Sequence, residues 1–177
     1  EWISSMLLDS GRFIWVGTNG GSLYRVGQSL KEYSIFTHNP QDSKSITAGD
    51  INSILQDRSG IIWVGTKEGL NRFNKDKQSF TRFIHVDRDS TSLSNNYWCS
   101  LFEDKSGTLW IGTADGLNRF NKESLNFSRF FPTDQQQGRF INRMLEDNNG
   151  CFWYASGTGI SMFDPATGSF RNFNESD

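Results

Sequence analysis

Residues 57–66 read Asp-Arg-Ser-Gly-Ile-Ile-Trp-Val-Gly-Thr, and this stretch occurs in four related copies in the 177-residue chain. The other three copies lie at 9–18, 104–113 and 147–156. The tryptophan at their centre recurs every 43 to 48 residues, at Trp15, Trp63, Trp110 and Trp153. A fixed period of this length is the signature of a repeat architecture, so each copy is read as one structural unit.

The similarity between copies continues beyond the tryptophan. Residues 69–75 and 116–122 are identical, and a pair of phenylalanines follows each of them. In the second copy, polar turns separate four strand-like segments, Ile51–Gln56, Ile61–Thr66, Leu70–Asn74 and Phe80–Ile84, which we label A to D. Strand B is apolar on both faces, as in a sheet covered on both sides. Four antiparallel strands in about 45 residues are typical of a propeller blade.

The repeat therefore predicts an all-β fold of four propeller blades, each a four-stranded antiparallel sheet. We expect one domain over 1–177, either a four-bladed ring or part of a larger propeller, with blades at about 1–37, 46–86, 93–132 and 138–174. An open arrangement would expose apolar blade faces, which favours self-association.

Charge and composition exclude several classes of partner. The net charge is −2 and basic residues are not clustered, so we expect no nucleic acid partner. No apolar run approaches the roughly 18 residues of a membrane span, so membrane contact is expected only through other segments of a longer protein. The chain starts at Glu1, which suggests an excised piece. Cys99 and Cys151 cannot form a disulfide framework and are predicted to be buried free thiols.

A residue that is present in every copy is explained first by the fold that all copies share. Asp57, Asp104 and Asp147 could be imagined in acid–base chemistry or calcium binding, but each precedes a turn glycine (Gly60, Gly107, Gly150), so we expect them to cap turns. The tryptophans could form a sugar-stacking platform; their place in the most apolar strand favours the core. Arg72 and Arg119 in strand C are expected to support neighbouring blades. Spacings typical of metal, phosphate or nucleotide sites are missing, so the sequence predicts no cofactor, metal or catalytic residue.

The copies differ most in their loops, and function concentrates on loops held by a rigid scaffold. In a propeller, the B–C turns and the long D–A connections open on one face. The residues in these loops that we predict to contact a ligand are Lys67, Glu68, His85, Asn95, Asn96, Tyr97, Trp98, Asp115 and Arg139. Tyr97 and Trp98 are singular, because the matching positions hold Asp50-Ile51 and Phe140-Ile141.

The repeated Asp-x-x-Gly-x-(apolar)-Trp-(Val/Ile)-Gly-Thr-x-x-Gly-Leu-Asn-Arg-Phe resembles the two-component regulator propeller repeat. Copies two and three are near its consensus, and copy four departs most, with Ala155-Ser156 in place of Gly-Thr. The resemblance implies a periplasmic sensor region of a membrane-anchored hybrid two-component histidine kinase, whose kinase domain is not in this chain. It further implies an oligosaccharide ligand, dimerisation that couples binding to signalling, and no catalysis by the blades.

Two other functions remain open from the sequence. One is a protein-interaction scaffold of the WD40 or kelch kind, although their Gly-His…Trp-Asp pair or double glycine does not recur here. The other is a propeller glycosidase or lyase, for which Glu68 and Asp115 are the available loop acids. A retaining glycosidase needs its two carboxylates about 5–5.5 Å apart, which loop tips of adjacent blades are not expected to provide.

Overall fold

A computed structural model describes residues 1–29, 31–132, 140–156 and 159–173. Within these residues, sixteen strands form four separate four-stranded antiparallel sheets, each with its strands in sequence order. The strands are β1 Ile3–Leu8, β2 Ile14–Thr18, β3 Leu23–Val26, β4 Tyr33–Phe36, β5 Ile51–Gln56, β6 Ile62–Thr66, β7 Gly69–Asn74, β8 Ser79–Phe83, β9 Ser100–Glu103, β10 Leu109–Thr113, β11 Gly116–Asn121, β12 Asn126–Phe130, β13 Asn142–Glu146, β14 Phe152–Ser156, β15 Gly159–Asp164 and β16 Ser169–Phe173. The predicted all-β fold of blade-like sheets is confirmed, and the strands of the second copy end within one residue of the predicted positions.

The chain divides into two compact units. The first comprises Glu1–Ile84 with Asn96–Cys99 and holds sheets one (β1–β4) and two (β5–β8). The second comprises His85–Asn95 with Ser100–Asp177 and holds sheets three (β9–β12) and four (β13–β16).

Aromatic rings fill the core of each unit. In the first, the Trp15 ring packs edge-on against Phe73 with centroids 4.9 Å apart, and Trp15 and Trp63 are each 1% exposed. In the second, Trp110 packs edge-on against Phe152 at 5.0 Å. These large rings bury much apolar area per residue, which stabilises thin sheets that pack face to face.

Trp153 departs from the buried place predicted for the tryptophan series. It is only half-buried, and its ring stacks on Phe173 of the same sheet with centroids 5.2 Å apart. Two other apolar side chains of the same sheet, Leu145 and Ile160, are also exposed, by 60% and 58%. In sheet one, the tryptophan is covered by the packed second sheet.

The repeated aspartate ties its turn to the tryptophan six residues later. One Asp104 oxygen accepts the backbone N–H groups of Ser106 and Thr108, both at 2.9 Å, and the other accepts the indole N–H of Trp110 at 2.8 Å. Asp9, Asp57 and Asp147 each bind the corresponding indole at 2.8–2.9 Å. This is the capping role that the sequence predicts, with an added bond to the tryptophan.

The first copy carries a strained residue in this turn. Gly60, Gly107 and Gly150 have φ of 82–83°, and the same place in the first copy is taken by Arg12 with φ 63°, because its glycine lies one residue earlier. The left-handed region costs a non-glycine residue about 1–2 kcal/mol.

We expect Arg12→Gly to raise the free energy of unfolding by about 1 kcal/mol, since glycine removes this strain at some cost in unfolded-chain entropy. Urea denaturation would measure the change. Arg12→Ala serves as the control, because it removes the side chain and keeps the strain; equal stabilisation by both variants would contradict the argument.

Repeated arginines hold the long connections between sheets. Within the first unit, Arg82 of β8 donates from Nε to the carbonyl of Ser45 at 2.6 Å and from Nη2 to that of Asp42 at 2.8 Å. In the second unit, Arg129 of β12 binds the carbonyls of Ser92 and Asp89 at 2.7 and 2.6 Å. These bonds bring connections 37–50 and 85–95 against β8 and β12, so the outer strands are partly covered.

Candidate functional site

The structure places the predicted ligand residues in two groups. Lys67, Glu68, Asn96, Tyr97 and Trp98 belong to the first unit. His85, Asn95 and Asp115 belong to the second, and Arg139 lies outside the described residues. The first group is therefore the one whose geometry can be built up.

A buried polar network fixes the base of this site. The Asn71 side chain donates to the Thr47 hydroxyl at 2.7 Å and accepts the Thr47 N–H at 2.9 Å. Thr47 and Thr66 share a hydroxyl–hydroxyl bond of 2.8 Å. Because buried polar groups are costly unless paired, this network pins connection 37–50 to the turn between β6 and β7. Loop and turn thus meet at one end of sheet two, as predicted.

An ion pair lies directly above this network. Lys67 Nζ is 2.6 Å from Asp50 Oδ2, and the Lys67 N–H also donates to the Asp50 carbonyl at 3.0 Å. The hydrogen bond to Asp50 raises the pKa of Lys67; desolvation opposes this shift, and the negative charge of Asp50 supports it. Lys67 is therefore held as a cation beside Asp50.

Tyr97 and Trp98 form an aromatic pair beside the ion pair. Their ring centroids are 6.2 Å apart with planes inclined at 43°, and Tyr97 is 49% exposed. Trp98 has φ 66°, a left-handed conformation that is strained for an aromatic residue. Such strain persists where the surroundings impose it, and it clusters at binding sites.

The residue after the pair supplies that constraint. Cys99 is fully buried; its N–H donates to the Thr66 carbonyl at 3.3 Å, and its carbonyl accepts the Ser53 hydroxyl at 2.7 Å. Burial raises the pKa of Cys99 to about 12, so the thiol is no nucleophile. Ile51 aligns with Trp98 in the sequence, but in the structure Cys99 takes the place that Ile51 has in the second copy. Both are fully buried, and the carbonyls of Cys99 and Ile51 accept the hydroxyls of Ser53 and Ser4 respectively. The left-handed turn instead leaves Trp98 half-buried next to the exposed Tyr97.

The site combines two aromatic rings with charged and amide groups. Glu68 is exposed at the tip of the turn, where its N–H is held by the Thr66 hydroxyl at 3.0 Å. Asn96 is half-buried next to Tyr97. Aromatic faces bind apolar C–H surfaces, while an ion pair and amides bind hydroxyls, so the arrangement suits a polyhydroxylated ring.

The candidates in the second unit have contacts that the repeat explains. His85 Nδ1 contacts the Leu93 carbonyl at 2.7 Å, and His38 Nδ1 makes the equivalent contact to Ile46 at 2.9 Å. The Asp115 N–H is held by Thr113 Oγ1 at 3.2 Å, like that of Glu68 by Thr66. These contacts support loops in both units, and they set His85 apart from the singular pair 97–98.

The structure differs from the sequence-based predictions for Arg119 and Cys151. Arg119 lies 5.9 Å from the ring of Phe130, which belongs to its own sheet and not to a neighbouring one. Cys151 is only half-buried, in contrast to Cys99, because it lies in the turn before β14.

The sequence analysis missed the arginines that hold the connections. The signal was present, because Arg82 and Arg129 are matched in the near-consensus copies and so are the Asp-Ser-x-Ser segments at 42–45 and 89–92 that they bind. The long connections are thus part of the repeat and not only variable ligand loops.

Two negative observations concern the described part of the chain. Its His, Cys, Asp and Glu side chains form no cluster of three that could hold a metal ion. Nor does any of its segments form an apolar helix long enough to span a membrane.

Residues 45–68 and 92–115 match the two component regulator propeller family. Each segment has 24 residues, so the match covers less than a third of the 177-residue chain. Each runs from the serine bound by Arg82 or Arg129 to the turn that carries Lys67-Glu68 or Ala114-Asp115. The repeat therefore includes the last part of the connection together with strands A and B. No curated protein shows significant similarity to the chain.

Solved structures share the fold at low sequence identity. The extracellular domain of BT3049 from B. thetaiotaomicron, assigned to the hybrid two-component systems, has TM-score 0.85 and 21% identity over 99% of this chain. For virginiamycin B lyase from Staphylococcus aureus, the TM-score is 0.71 and the sequence identity is 15% over 99% of this chain. For PorZ, a surface component of the type-IX secretion system of Porphyromonas gingivalis, the TM-score is 0.69 and the sequence identity is 13% over 99% of this chain. The chain spans 25%, 56% and 27% of these proteins respectively, and at these identities the likeness concerns the fold.

Proposed function

We propose that this chain is part of the ligand-sensing, extracytoplasmic region of a membrane-anchored two-component signalling protein and that its ligand is an oligosaccharide. The two segments that match the regulator propeller family and the fold shared with an extracellular domain of a hybrid two-component system support the sensor role. A periplasmic location and a histidine kinase elsewhere in the full-length protein belong to the same proposal.

One observation carries the ligand assignment. Tyr97 and Trp98 are displayed at the end of sheet two at the cost of a left-handed backbone at Trp98, next to the Lys67–Asp50 ion pair. The second copy has no such aromatic pair: its aligned residues are Asp50 and Ile51, and a register shift between Ile51 and Ser53 puts Ile51 where the third copy has Cys99. Strain that the repeat does not need is best explained by binding.

The proposed binding mode is stacking with polar selection and without chemistry. A pyranose ring lies on the indole and phenol faces, while Lys67, Asp50 and Glu68 bind its hydroxyls. The Cys99 thiol next to the pair is buried and its pKa is raised to about 12, so it is not available as a nucleophile.

The test is a calorimetric titration with oligosaccharides of four to eight units prepared from xylan, mannan, amylopectin and heparin. With a saccharide that binds, Tyr97→Ala and Trp98→Gly are each expected to weaken affinity at least tenfold. Trp98→Gly separates loss of the ring from loss of stability. Glycine suits φ 66°, so the variant should be at least as stable as the unaltered chain.

Tyr33→Ala is the matched control, because Tyr33 is an aromatic residue of the same unit that is 66% exposed. Affinity that is unchanged in Tyr97→Ala and Trp98→Gly would contradict the proposed site. New reducing ends after incubation with the same saccharides would contradict binding without catalysis and favour a propeller glycosidase or lyase.

A further inference from the structure

The first unit contains a second concave site that is lined by none of residues 67–68 and 96–98. It is a cavity of about 360 Å³ between the turn after β1 and the turn after β5. Its walls include the rings of Phe13, Trp15 and Phe73 together with Ile61. This volume lies within the range of small-molecule sites in proteins, which are mostly apolar with a few polar groups.

Arg25 is the distinctive polar group of this cavity. Its guanidinium carbon lies 3.6 Å above the centroid of Phe13 and 5.6 Å from that of Trp15. Its Nε is buried, and among the described residues it has no hydrogen-bond partner. A buried donor without an acceptor is unfavourable, and such exceptions in native proteins point to a bound partner.

The other polar groups of the cavity are mostly engaged within the protein. Asp9 accepts the Phe13 N–H at 2.9 Å and the Trp15 indole N–H at 2.8 Å, one on each oxygen. The Gln56 side chain binds the N–H and the hydroxyl of Ser10 at 2.7 and 3.0 Å. Lys75 adds a second cation to the lining. Arg25 Nη1 donates to the Gln78 side-chain oxygen at 3.5 Å, so within the described part of the chain Nε is the donor that has no acceptor. Arg25 and Lys75 outnumber the single carboxylate of Asp9 among the described residues of the lining, which favours an acceptor with a negative charge.

We propose that this cavity binds a small carboxylate carried on a six-membered ring. The carboxylate accepts hydrogen bonds from Arg25, which is suited to planar bidentate pairing, and the ring packs on the aromatic wall. A sugar acid and an aromatic acid share this chemistry. The site is independent of the oligosaccharide proposal, because the two share no residue.

The test is calorimetric titration of the full chain with galacturonate and with benzoate, each paired with its neutral counterpart, galactose or benzyl alcohol. At least one acid is expected to bind at least tenfold more tightly than its counterpart, and the acid that binds identifies the source. The Arg25 Nε–H resonance should shift on titration with that acid.

Arg25→Met is expected to weaken binding at least tenfold. Methionine is compatible with the repeat, because Met162 stands at this position in the fourth copy, paired with Trp153 as Arg25 is with Trp15. Lys31→Met, which removes an exposed cation outside the cavity, should leave the affinity unchanged.

Three results would overturn the proposal: no binding of either acid, equal binding of the neutral compounds, or full affinity in Arg25→Met. Should Arg25→Met fail to fold, an Arg25 Nε–H resonance that does not move in the unaltered chain would also overturn it. Tyr97→Ala should bind the acid normally, so this site and the saccharide site can fail separately.

Discussion

Gly112→Ala is expected to lower the free energy of unfolding of the second unit by about 2–3 kcal/mol, in the upper range of overpacking substitutions. A Cβ on Gly112 would lie 2.5 Å from the Ile141 carbonyl oxygen and 2.6 Å from the Ser100 hydroxyl. The obstacle is the backbone leading into β13, which cannot move away like a flexible side chain. Chemical denaturation followed by tryptophan fluorescence measures the change.

The fourth copy supplies the matched control. Ala155 stands at the position of Gly112 and is exposed, so a Cβ is tolerated there. Ala155→Gly should change the free energy of unfolding by no more than about 1 kcal/mol, the usual cost of glycine in a strand. If both substitutions had the same small effect, the close approach of Ile141 to Gly112 would be refuted.

This contrast also shows why the repeat could be predicted from the sequence. Gly17, Gly65 and Gly112 are constrained by the same close approach, in which a Cβ would collide with Ile51, Cys99 or Ile141. The spacing of the repeated motif was enough to find these positions, because the same close packing constrains the residue at each of them. The strand order followed from the polar turns between apolar segments.

The candidate site was predictable only in part. Uniqueness identified Tyr97 and Trp98, since no other copy has aromatic residues at both positions. Nothing in the sequence indicated the left-handed φ at Trp98, which depends on how Cys99 is buried under the turn after β6. Nor did it reveal the Lys67–Asp50 pair, whose two residues are brought together by the Thr47–Thr66 bond.

The cavity around Arg25 lay beyond sequence reasoning for another physical reason. Arg25 matches Arg72 and Arg119 in the repeat, so the sequence predicts for it the same structural role and no ligand. Its guanidinium stacks on Phe13, and the matching positions in the other copies hold Ile61, Thr108 and Cys151, which have no aromatic ring. A local sequence difference thus gives one copy a feature that the consensus does not contain.

Asp104→Asn is expected to destabilise the second unit by about 2–3 kcal/mol. The carboxylate accepts four hydrogen bonds, from the N–H of Ser106, the hydroxyl of Ser106, the N–H of Thr108 and the indole N–H of Trp110. Asparagine keeps one oxygen and replaces the other with a donor, so the buried Trp110 N–H or the turn loses its acceptor. Asp76→Asn, an exposed aspartate in another turn, is the control and should be near neutral.

The pH dependence separates the lost charge from a general loss of packing. Burial opposes the charge of Asp104, but the hydrogen bonds from Ser106, Trp110 and Thr108 outweigh it and lower the pKa of this carboxyl from its ordinary value. A carboxyl whose pKa is lowered on folding contributes stability above its unfolded pKa, and this contribution is lost as pH falls through the folded value. Between about pH 5 and pH 2, the unaltered chain should therefore lose more stability than Asp104→Asn. Parallel curves for the two proteins would show that the Asp104 charge does not support the turn.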